Sequence, residues 1–153
     1  MKINFSKYNG AGNDFILIDD RENLINDNKS LISYLCNRHF GIGGDGLIIL
    51  KESSNSDFEI LHYTSDGNLG SLCGNGSRCA VLFAFNKDII SKNTVFRAFD
   101  GIHNAEILDK RSKLRNFFEK EKNLVCIPFY PDDFKNLNFI SKNFFKEKKI
   151  NIS

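Results

Sequence analysis

The sequence predicts an α+β domain in which a curved, mostly antiparallel sheet wraps around one central buried helix. Short apolar runs separated by Gly- and Asn-rich turns precede and follow residues 71–85, as expected of sheet strands. Within that stretch the run AVLFAF (80–85) has no polar residue, so a helix there is expected to be buried on every side. The chain has 153 residues, of which 41% are hydrophobic and 26% charged, and this suits one globular domain with its own core.

The first half of the chain supplies a predicted hairpin and a helix. INFSKY (3–8) alternates between polar and apolar residues, which is typical of a strand. NGAGND (9–14) is a Gly/Asn turn, and the apolar run FILID (15–19) after it predicts the second strand. Residues 28–38 carry apolar side chains at helical spacing, which predicts a surface helix.

The elements that follow are predicted to be strands, apart from the central helix. FGIGGDG (40–46) predicts a turn, and LIIL (47–50) predicts a buried strand. DFEILHY (57–63) alternates and predicts another strand. After the central helix, TVFRAF (94–99) and HNAEIL (103–108) flank an Asp-Gly turn, which predicts a hairpin.

One glycine motif matches a nucleotide-binding pattern but stands in the wrong structural context for it. GIGGDG (41–46) matches G-x-G-x-x-G, the fingerprint of dinucleotide-binding folds. That fingerprint needs a strand before it and a helix after it. Here the predicted order is the reverse, so these glycines are interpreted as backbone turns.

The four cysteines, Cys36, Cys73, Cys79 and Cys126, are expected to be free thiols. Cys73 and Cys79 are separated by five residues, which is wider than usual for zinc, and no His-x-x-x-His partner follows, so no metal site is predicted. The N-terminus is not continuously apolar and no run is long enough to span a membrane. We therefore expect a cytoplasmic protein.

Charge divides the chain into two parts. Residues 1–107 contain 10 Lys and Arg against 13 Asp and Glu, whereas residues 108–153 contain 11 against 6. Both prolines also lie in the second part. We predict a domain at 1–107 followed by a basic Lys/Asn/Phe-rich tail at 108–153. A charge run is usually a solvated surface, so neither nucleic acid nor membrane is expected as a partner.

The segment Cys73-Gly74-Asn75-Gly76 lies where the buried helix is predicted to begin. The first N–H groups of a helix lack internal partners and carry partial positive charge, and glycines allow a ligand to approach the backbone. This segment is therefore a candidate site for a carboxylate or phosphate. The same field favours the thiolate of Cys73 over its thiol.

A carboxylate site beside an activated thiol suits the removal of the Cα proton of an amino acid. That reaction needs a base at Cα and support for the charge that develops on the carboxylate. No lysine motif for a pyridoxal cofactor is evident. The alternative is that Cys73 is a small, inert residue at the start of a helix, and the residues alone leave both interpretations open. Cys79, inside the apolar helix, is predicted to be a core residue.

Four motifs in order give the chain a resemblance to the N-terminal half of diaminopimelate epimerase. They are NGAGNDF (9–15), RHFGIGGDGLI (38–48), HYTSDGNLGSLCGNGSRC (62–79) and FRAFDGIHNAEI (96–107). The resemblance implies interconversion of LL- and meso-diaminopimelate in lysine and cell-wall synthesis, without a cofactor. It also implies two similar domains, each supplying one acid/base cysteine to a cleft between them.

The resemblance assigns roles to five residues. Cys73 corresponds to the catalytic cysteine of the first domain, and Gly74 and Asn75 to the carboxylate-binding residues after it. Asn13 corresponds to a substrate-binding asparagine. Thr64 stands where members often have a substrate-binding Asn; it keeps an oxygen for hydrogen bonding and lacks the amide donors.

The tail at 108–153 does not resemble the second domain of that family, and Cys126 lacks a Gly-rich helix start after it. Its Lys, Asn, Phe and Ile content suggests a truncation or a frameshift in AT-rich DNA. A lone chain of this kind is expected to epimerise little or nothing, because inversion needs a proton donor on the opposite face. The alternatives are a half-enzyme completed by a partner chain or a homodimer, and a non-catalytic anion-binding module.

Overall fold

The computed structural model describes residues 3–25 and 28–108. No helix in these ranges is long and apolar enough to cross a membrane. The elements, in chain order, are β1 (Ser6–Gly10), β2 (Asn13–Asp19), α1 (Lys29–Cys36), β3 (Gly46–Lys51), β4 (Phe58–Thr64), α2 (Gly74–Asn86), β5 (Asn93–Ala98) and β6 (Gly101–Glu106). The predicted tail lies outside the described residues, apart from its first residue.

The six strands form one sheet in the order in which they occur in the chain. β1–β2, β3–β4 and β5–β6 pair antiparallel, whereas β2–β3 and β4–β5 pair parallel. Each parallel pair is joined by a crossover that contains one helix, since antiparallel neighbours need only a turn while parallel neighbours need a return connection. The sheet is thus mixed, with antiparallel pairings in the majority.

The two helices pack on opposite faces of the sheet. The central residues of β2 and β3 are apolar on both faces of the sheet, because alternate side chains pack into two different cores. Leu17 and Ile48 pack towards α2, whereas Ile16 and Leu47 pack towards α1. All four side chains are fully buried. Continuous apolar strands are expected where a sheet is covered on both sides.

The sheet curls around α2, which confirms the predicted architecture. Every strand contributes to the core around this helix, through Tyr8, Leu17, Ile48, Ile60, Phe96 and Ala105 among others. The prediction that AVLFAF is buried on every side is wrong in one detail. Leu82 and Phe85 keep partial exposure, and they follow the exposed Arg78 at helical spacing. One stripe of α2 is therefore left open because the six strands do not close around it.

The β1–β2 hairpin turns through Ala11 and Gly12, both of which have positive φ. Two central residues with positive φ match the right-handed twist of a two-residue hairpin. The Gly12 N–H also donates to the Asn9 side chain, at 3.2 Å. The turn pairs Gly10 with Asn13, so Asn13 becomes the first residue of β2 at one edge of the sheet.

Candidate functional site

Helix α2 begins directly after Cys73. Cys73 is the N-cap residue with extended backbone, and its carbonyl accepts the first helical hydrogen bond from the Ser77 N–H at 2.8 Å. Its side chain makes no capping hydrogen bond. The N–H groups of Gly74, Asn75 and Gly76 therefore precede the first closed turn, where a helix carries its positive end. The thiol of Cys73 is half-buried and packs against the α2 core.

The backbone in front of this helix end is open. A Cβ placed on the exposed Gly74 meets no heavy atom within 4 Å. Gly76 is different, since its added Cβ would lie 3.0 Å from Ile48 Cδ1 on the sheet. The helix end is therefore packed closely on one side and accessible on the other.

The structure brings Asn13 and Asn75 together, although 62 residues separate them. Asn75 Nδ2 donates to Asn13 Oδ1 at 3.0 Å, and Asn13 Nδ2 donates to Asp45 Oδ2 at 3.2 Å. Arg78 donates to Asn75 Oδ1 and, through Nε, to the Gly74 carbonyl at 3.1 Å. The start of β2, the residue before β3 and the first turn of α2 thus form one polar network at a single edge of the sheet.

A group of charges extends this network. Arg38 makes two hydrogen bonds to the Asp14 carboxylate, at 2.6 and 3.0 Å, and a third to Asp45 Oδ1 at 2.8 Å. Lys7 adds an ion pair to Asp14 at 3.0 Å. Hydrogen bonding to Arg38, with a further contribution from Lys7, holds the pKa of Asp14 well below its usual range. The same contact with Asp14, helped by Asp45, raises the pKa of the Arg38 guanidinium.

The segment that leads to Cys73 is held by His62. The Gly70 N–H donates to the His62 carbonyl at 2.8 Å, and His62 Nδ1 lies 3.0 Å from the Ser71 carbonyl oxygen. Because a carbonyl oxygen only accepts, Nδ1 must carry the proton in this contact. The ring also meets the edge of Phe15, with centroids 5.9 Å apart. His62 therefore fixes where the chain enters α2.

Thr64 lies at the same sheet edge but does not join the Asn13–Asn75 network. It ends β4, opposite Gly46, and is exposed. Its Oγ1 donates to the Asp66 side chain and lies 3.1 Å from the Asn68 carbonyl, so its hydrogen bonds stay within its own turn. The hydrogen bond from Thr64 lowers the pKa of Asp66.

The three described cysteines are free, and two are buried. Cys79 is fully buried within α2, which confirms its prediction as a core residue. Burial raises the pKa of the Cys79 thiol to about 11, and likewise that of Cys36 on α1. Neither thiol is ionised near neutral pH. The prediction about Cys126 lies outside the described residues.

The glycine motif GIGGDG follows α1 and precedes β3, which confirms that it has the wrong context for a dinucleotide fingerprint. Its loop instead closes the end of α1: the N–H groups of Ile42 and Gly43 donate to the Leu35 carbonyl at 2.9 and 3.0 Å. Gly43 has φ of +81°, a conformation that favours glycine. The loop thereby delivers Asp45 to the edge where Asn13 lies.

Comparison with known proteins identifies the family. The family model described as Diaminopimelate epimerase matches residues 5–120. The chain belongs to the diaminopimelate epimerase family. It is similar to the diaminopimelate epimerase of Flavobacterium psychrophilum, with 51% identity over 102 residues, which cover 66% of this chain and 40% of the relative. That of Hydrogenobaculum is 37% identical over 132 residues, which cover 78% of this chain and 48% of the relative.

The chain therefore spans less than half the length of these two curated members of the diaminopimelate epimerase family. The family match reaches residue 120, past the domain boundary predicted at 107. That boundary stays a prediction, because residues 109–153 are outside the described part of the chain.

Solved structures agree on the fold. A Bacillus anthracis phenazine biosynthesis protein of the PhzF family is similar with a TM-score of 0.59 and 17% identity, covering 72% of this chain and 38% of that one. A methylitaconate-delta-isomerase is similar with a TM-score of 0.55 and 16% identity, covering 71% of this chain and 61% of that one. At such identities the likeness concerns the architecture alone, a sheet curled around a helix.

Sequence reasoning placed Cys73, Gly74, Asn75 and Asn13 in the site, and the structure brings these four to one edge. It gave no role to Arg38, Asp45, His62 or Arg78, although all four lie within the four motifs that carry the resemblance. A signal was present for two of them, since Asp45 stands between two glycines and Arg78 stands next to Cys79. The partners of Asp45 and Arg38 on β2, Asn13 and Asp14, are 32 and 24 residues away, so spacing could not reveal those contacts. Arg78 bonds instead within the first turn of its own helix.

Proposed function

We propose that this chain forms the half of a diaminopimelate epimerase site that binds the α-carboxylate of diaminopimelate and removes its Cα proton. The observation that carries the proposal is the position of Cys73 as N-cap of α2, with a half-buried thiol beside N–H groups that precede the first closed turn. Membership of the diaminopimelate epimerase family supplies the substrate class.

The carboxylate is held by the helix end and by the two amides. Three backbone N–H groups, from Gly74 to Gly76, converge on the positive end of α2. Asn13 and Asn75 flank it, and each amide nitrogen carries a second hydrogen beyond the bonds described above. Thr64, exposed at the same edge, adds a hydroxyl oxygen, whose hydrogen is already donated to Asp66. The helix N–H groups and the two further amide hydrogens are donors, and this favours an anionic ligand.

Proton removal follows from this arrangement. The Cys73 thiolate takes the proton from Cα, and the electron pair of the broken C–H bond moves into the carboxylate. The helix N–H groups then hold the additional negative charge, which is the role of preorganised donors in catalysis. No cofactor takes part in the proposed step.

Inversion needs a second acid on the opposite face of Cα. Among the described residues, the other two cysteines are buried and have raised pKa values, so neither is suited to that role. The 153-residue chain tested as it stands is therefore proposed to exchange the α-proton with retention, and to epimerise little or not at all.

Hydrogen exchange tests this directly. Incubating LL-diaminopimelate with the chain in D2O should replace the α-proton by deuterium, because the Cys73 S–H exchanges with solvent and returns a deuteron to the same face. The α-proton signal in ¹H NMR should decline while chiral chromatography finds the LL form unchanged. Cys73→Ser should abolish the exchange and Cys36→Ala should retain it. Exchange equal in Cys73→Ser, or no binding of diaminopimelate at all, would overturn the proposal.

Alkylation tests whether Cys73 is the accessible thiol among the three described cysteines. With iodoacetamide near neutral pH, Cys73 should be labelled before Cys36 and Cys79, which react only after unfolding because burial raises their pKa values to about 11. Peptide mass spectrometry measures the labelled fractions over time. Diaminopimelate should slow the labelling of Cys73 alone. Labelling of Cys79 at the same rate as Cys73 would contradict the described packing.

A second candidate function is a half-enzyme completed by another chain or by a second copy. The match spans 40% to 48% of the first two relatives. A second copy or another chain that supplies an acid on the opposite face of Cα would complete the reaction proposed above. If a partner completes the site, adding it should turn exchange with retention into epimerisation, and size-exclusion chromatography should detect the complex.

We place this chemistry in the cytoplasm, because the described cysteines are free thiols, as expected in a reducing compartment.

A further inference from the structure

A row of polar groups at the site alternates strictly between donor and acceptor. Arg38 donates to Asp45, Asn13 donates to Asp45, Asn75 donates to Asn13, and Arg78 donates to Asn75. The two amides, of Asn13 and Asn75, stand between two side chains of opposite hydrogen-bonding character. Asp45 is a carboxylate, which only accepts, and Arg78 is a guanidinium, which only donates.

We propose that Asp45 and Arg78 are positioning residues that fix which atom of each side-chain amide, on Asn13 and on Asn75, points into the carboxylate site. The structural part of this inference stands by itself, and its effect on binding rests on the proposed function. Neither Asp45 nor Arg78 needs to touch the substrate.

The chemistry of the ends forces the orientation of both amides. An amide oxygen and nitrogen are nearly identical in shape, so the partners decide which is which. Facing the Asp45 carboxylate, Asn13 must present its NH2 group, which leaves its oxygen for Asn75. Asn75 must then present its own NH2 group to Asn13, which leaves its oxygen for the donor on Arg78. Turning either amide over places donor against donor, or acceptor against acceptor.

This orientation decides what the site offers a ligand. With both amides fixed in this way, each nitrogen keeps one further N–H while each oxygen is engaged by a donor. An anion therefore meets N–H groups from Asn13 and Asn75 in addition to those at the start of α2. A reversed amide would turn an oxygen towards the carboxylate and repel it.

Asp45→Asn is the informative substitution because one amide oxygen cannot replace two carboxylate oxygens. Oδ1 of Asp45 accepts from Arg38 at 2.8 Å, while Oδ2 accepts from the Asp14 N–H at 3.1 Å and from Asn13. Whichever way the new amide turns, its NH2 group faces a donor. The variant thus keeps a single acceptor at this end of the row, which can serve either Asn13 and the Asp14 N–H or Arg38, but not both.

Asp57→Asn is the matched control. Asp57 Oδ2 accepts from a backbone N–H, that of Val95 at 2.9 Å, and from a side chain, Thr94 Oγ1 at 2.8 Å. Asp57→Asn removes the same negative charge from a carboxylate that likewise accepts from a backbone N–H and a side chain, but at the start of β5. A single amide oxygen suffices there, and none of the site residues is involved.

The experiment is ¹H–¹⁵N NMR of the side-chain NH2 groups in the full 153-residue chain without ligand. Asp45→Asn is expected to shift the NH2 signals of Asn75 and to speed their exchange with water, although Asp45 is linked to Asn75 through Asn13 and not by a hydrogen bond of its own. Asp57→Asn should leave them as in the wild type. Equal Asn75 signals in the two variants would overturn the proposal. Arg78→Met, on an exposed residue, gives the converse readout at Asn13 should Asp45→Asn fail to fold, and unchanged Asn13 signals there would overturn it equally.

Binding separates this inference from the proposed function. Titration with LL-diaminopimelate should be weakened about tenfold in Asp45→Asn, as expected for the loss of one hydrogen bond to a charged group, and unchanged in Asp57→Asn. If the wild type binds no diaminopimelate, the proposed function fails while the ligand-free NMR still decides the orientation of the amides. If binding is equal in both variants, the effect on binding is refuted.

Discussion

Two glycines at the same sheet edge should respond in opposite ways to alanine. Gly74 begins α2 beside Cys73, and Gly46 begins β3. An added Cβ at Gly74 meets nothing within 4 Å, whereas at Gly46 it would lie 2.7 Å from the Tyr63 carbonyl oxygen and 3.2 Å from His62 Nε2. The first position is open towards solvent, and the second is closed by backbone that cannot turn away.

The magnitudes follow from these distances. Gly74→Ala should leave the free energy of unfolding unchanged or raise it by up to about 1 kcal/mol, since alanine loses less backbone entropy than glycine in a helix. Its methyl group stands where the carboxylate is proposed to approach the helix N–H groups. Losing one such hydrogen bond costs roughly 1.5–3 kcal/mol, which weakens binding about tenfold to a hundredfold. Gly46→Ala should destabilise the fold by about 1–3 kcal/mol, because β3 or β4 must shift.

The assay combines urea unfolding, followed by circular dichroism, with calorimetric titration of diaminopimelate. Gly74→Ala is expected to keep its unfolding midpoint and lose affinity, while Gly46→Ala is expected to lose stability first. The reasoning would be refuted if Gly74→Ala lowered the free energy of unfolding by more than about 1 kcal/mol, the scale of an ordinary surface change. It would equally be refuted if that variant bound diaminopimelate as the wild type does.

Three further substitutions test ion pairs and backbone strain in the described part of the chain. Arg38→Gln should return the pKa of Asp14 towards its ordinary value, and ¹³C NMR of the Asp14 carboxyl carbon would measure this change. Because the folded-state pKa of Asp14 is depressed, its stabilisation is present above the unfolded value of about 3.9 and is lost as pH falls further, so wild type and variant should converge in stability at acid pH. Lys51→Met should cost about 3–5 kcal/mol in urea unfolding, since it leaves the buried carboxylate of Asp20 without its ion-pair partner at 2.5 Å. Ala11→Gly should raise the free energy of unfolding by about 1 kcal/mol, because φ of +52° strains alanine. A higher midpoint of thermal unfolding would measure this gain.

Each of these has an outcome that contradicts it. A stability difference between wild type and Arg38→Gln that stays constant down to strongly acid pH would mean that Asp14 does not contribute through this ion pair. A loss below about 1 kcal/mol in Lys51→Met would place Asp20 in water rather than in the core. A lower midpoint for Ala11→Gly would mean that the hairpin does not hold residue 11 in the left-handed region.

The order of strands and helices could be predicted from the sequence because it depends on local patterns. The apolar runs at 15–19 and 47–50 lie within strands, and the apolar stretch 80–85 lies within a helix that follows Cys73. The ends of the individual strands depend on more than local patterns. The first strand runs from Ser6 to Gly10 rather than over 3–8, because pairing with β2 through the hairpin decides which residues are held.

Part of the candidate site could likewise be predicted from the sequence. A cysteine followed by Gly-Asn-Gly and an apolar run predicts a thiol at a helix start. The motifs assign Asn13 and Thr64 to the same substrate site, although the hydrogen bonds of Thr64 stay within its own turn. Cys73, Gly74 and Asn75 are neighbours in the chain, so their juxtaposition needs no tertiary information.

Only the tertiary structure decided how the distant parts meet. Asp45 reaches Asn13 across 32 residues because β2 and β3 pair in parallel. Asn13 reaches Asn75 across 62 residues because α2 packs against one face of β2. Parallel strand pairing, and which group donates in each hydrogen bond, depend on contacts between residues far apart in the chain. The periodicity of the sequence does not predict such contacts. The sequence by itself determined the thiol, the helix start and the core, whereas the fold decided which acceptors and donors orient the amides around them.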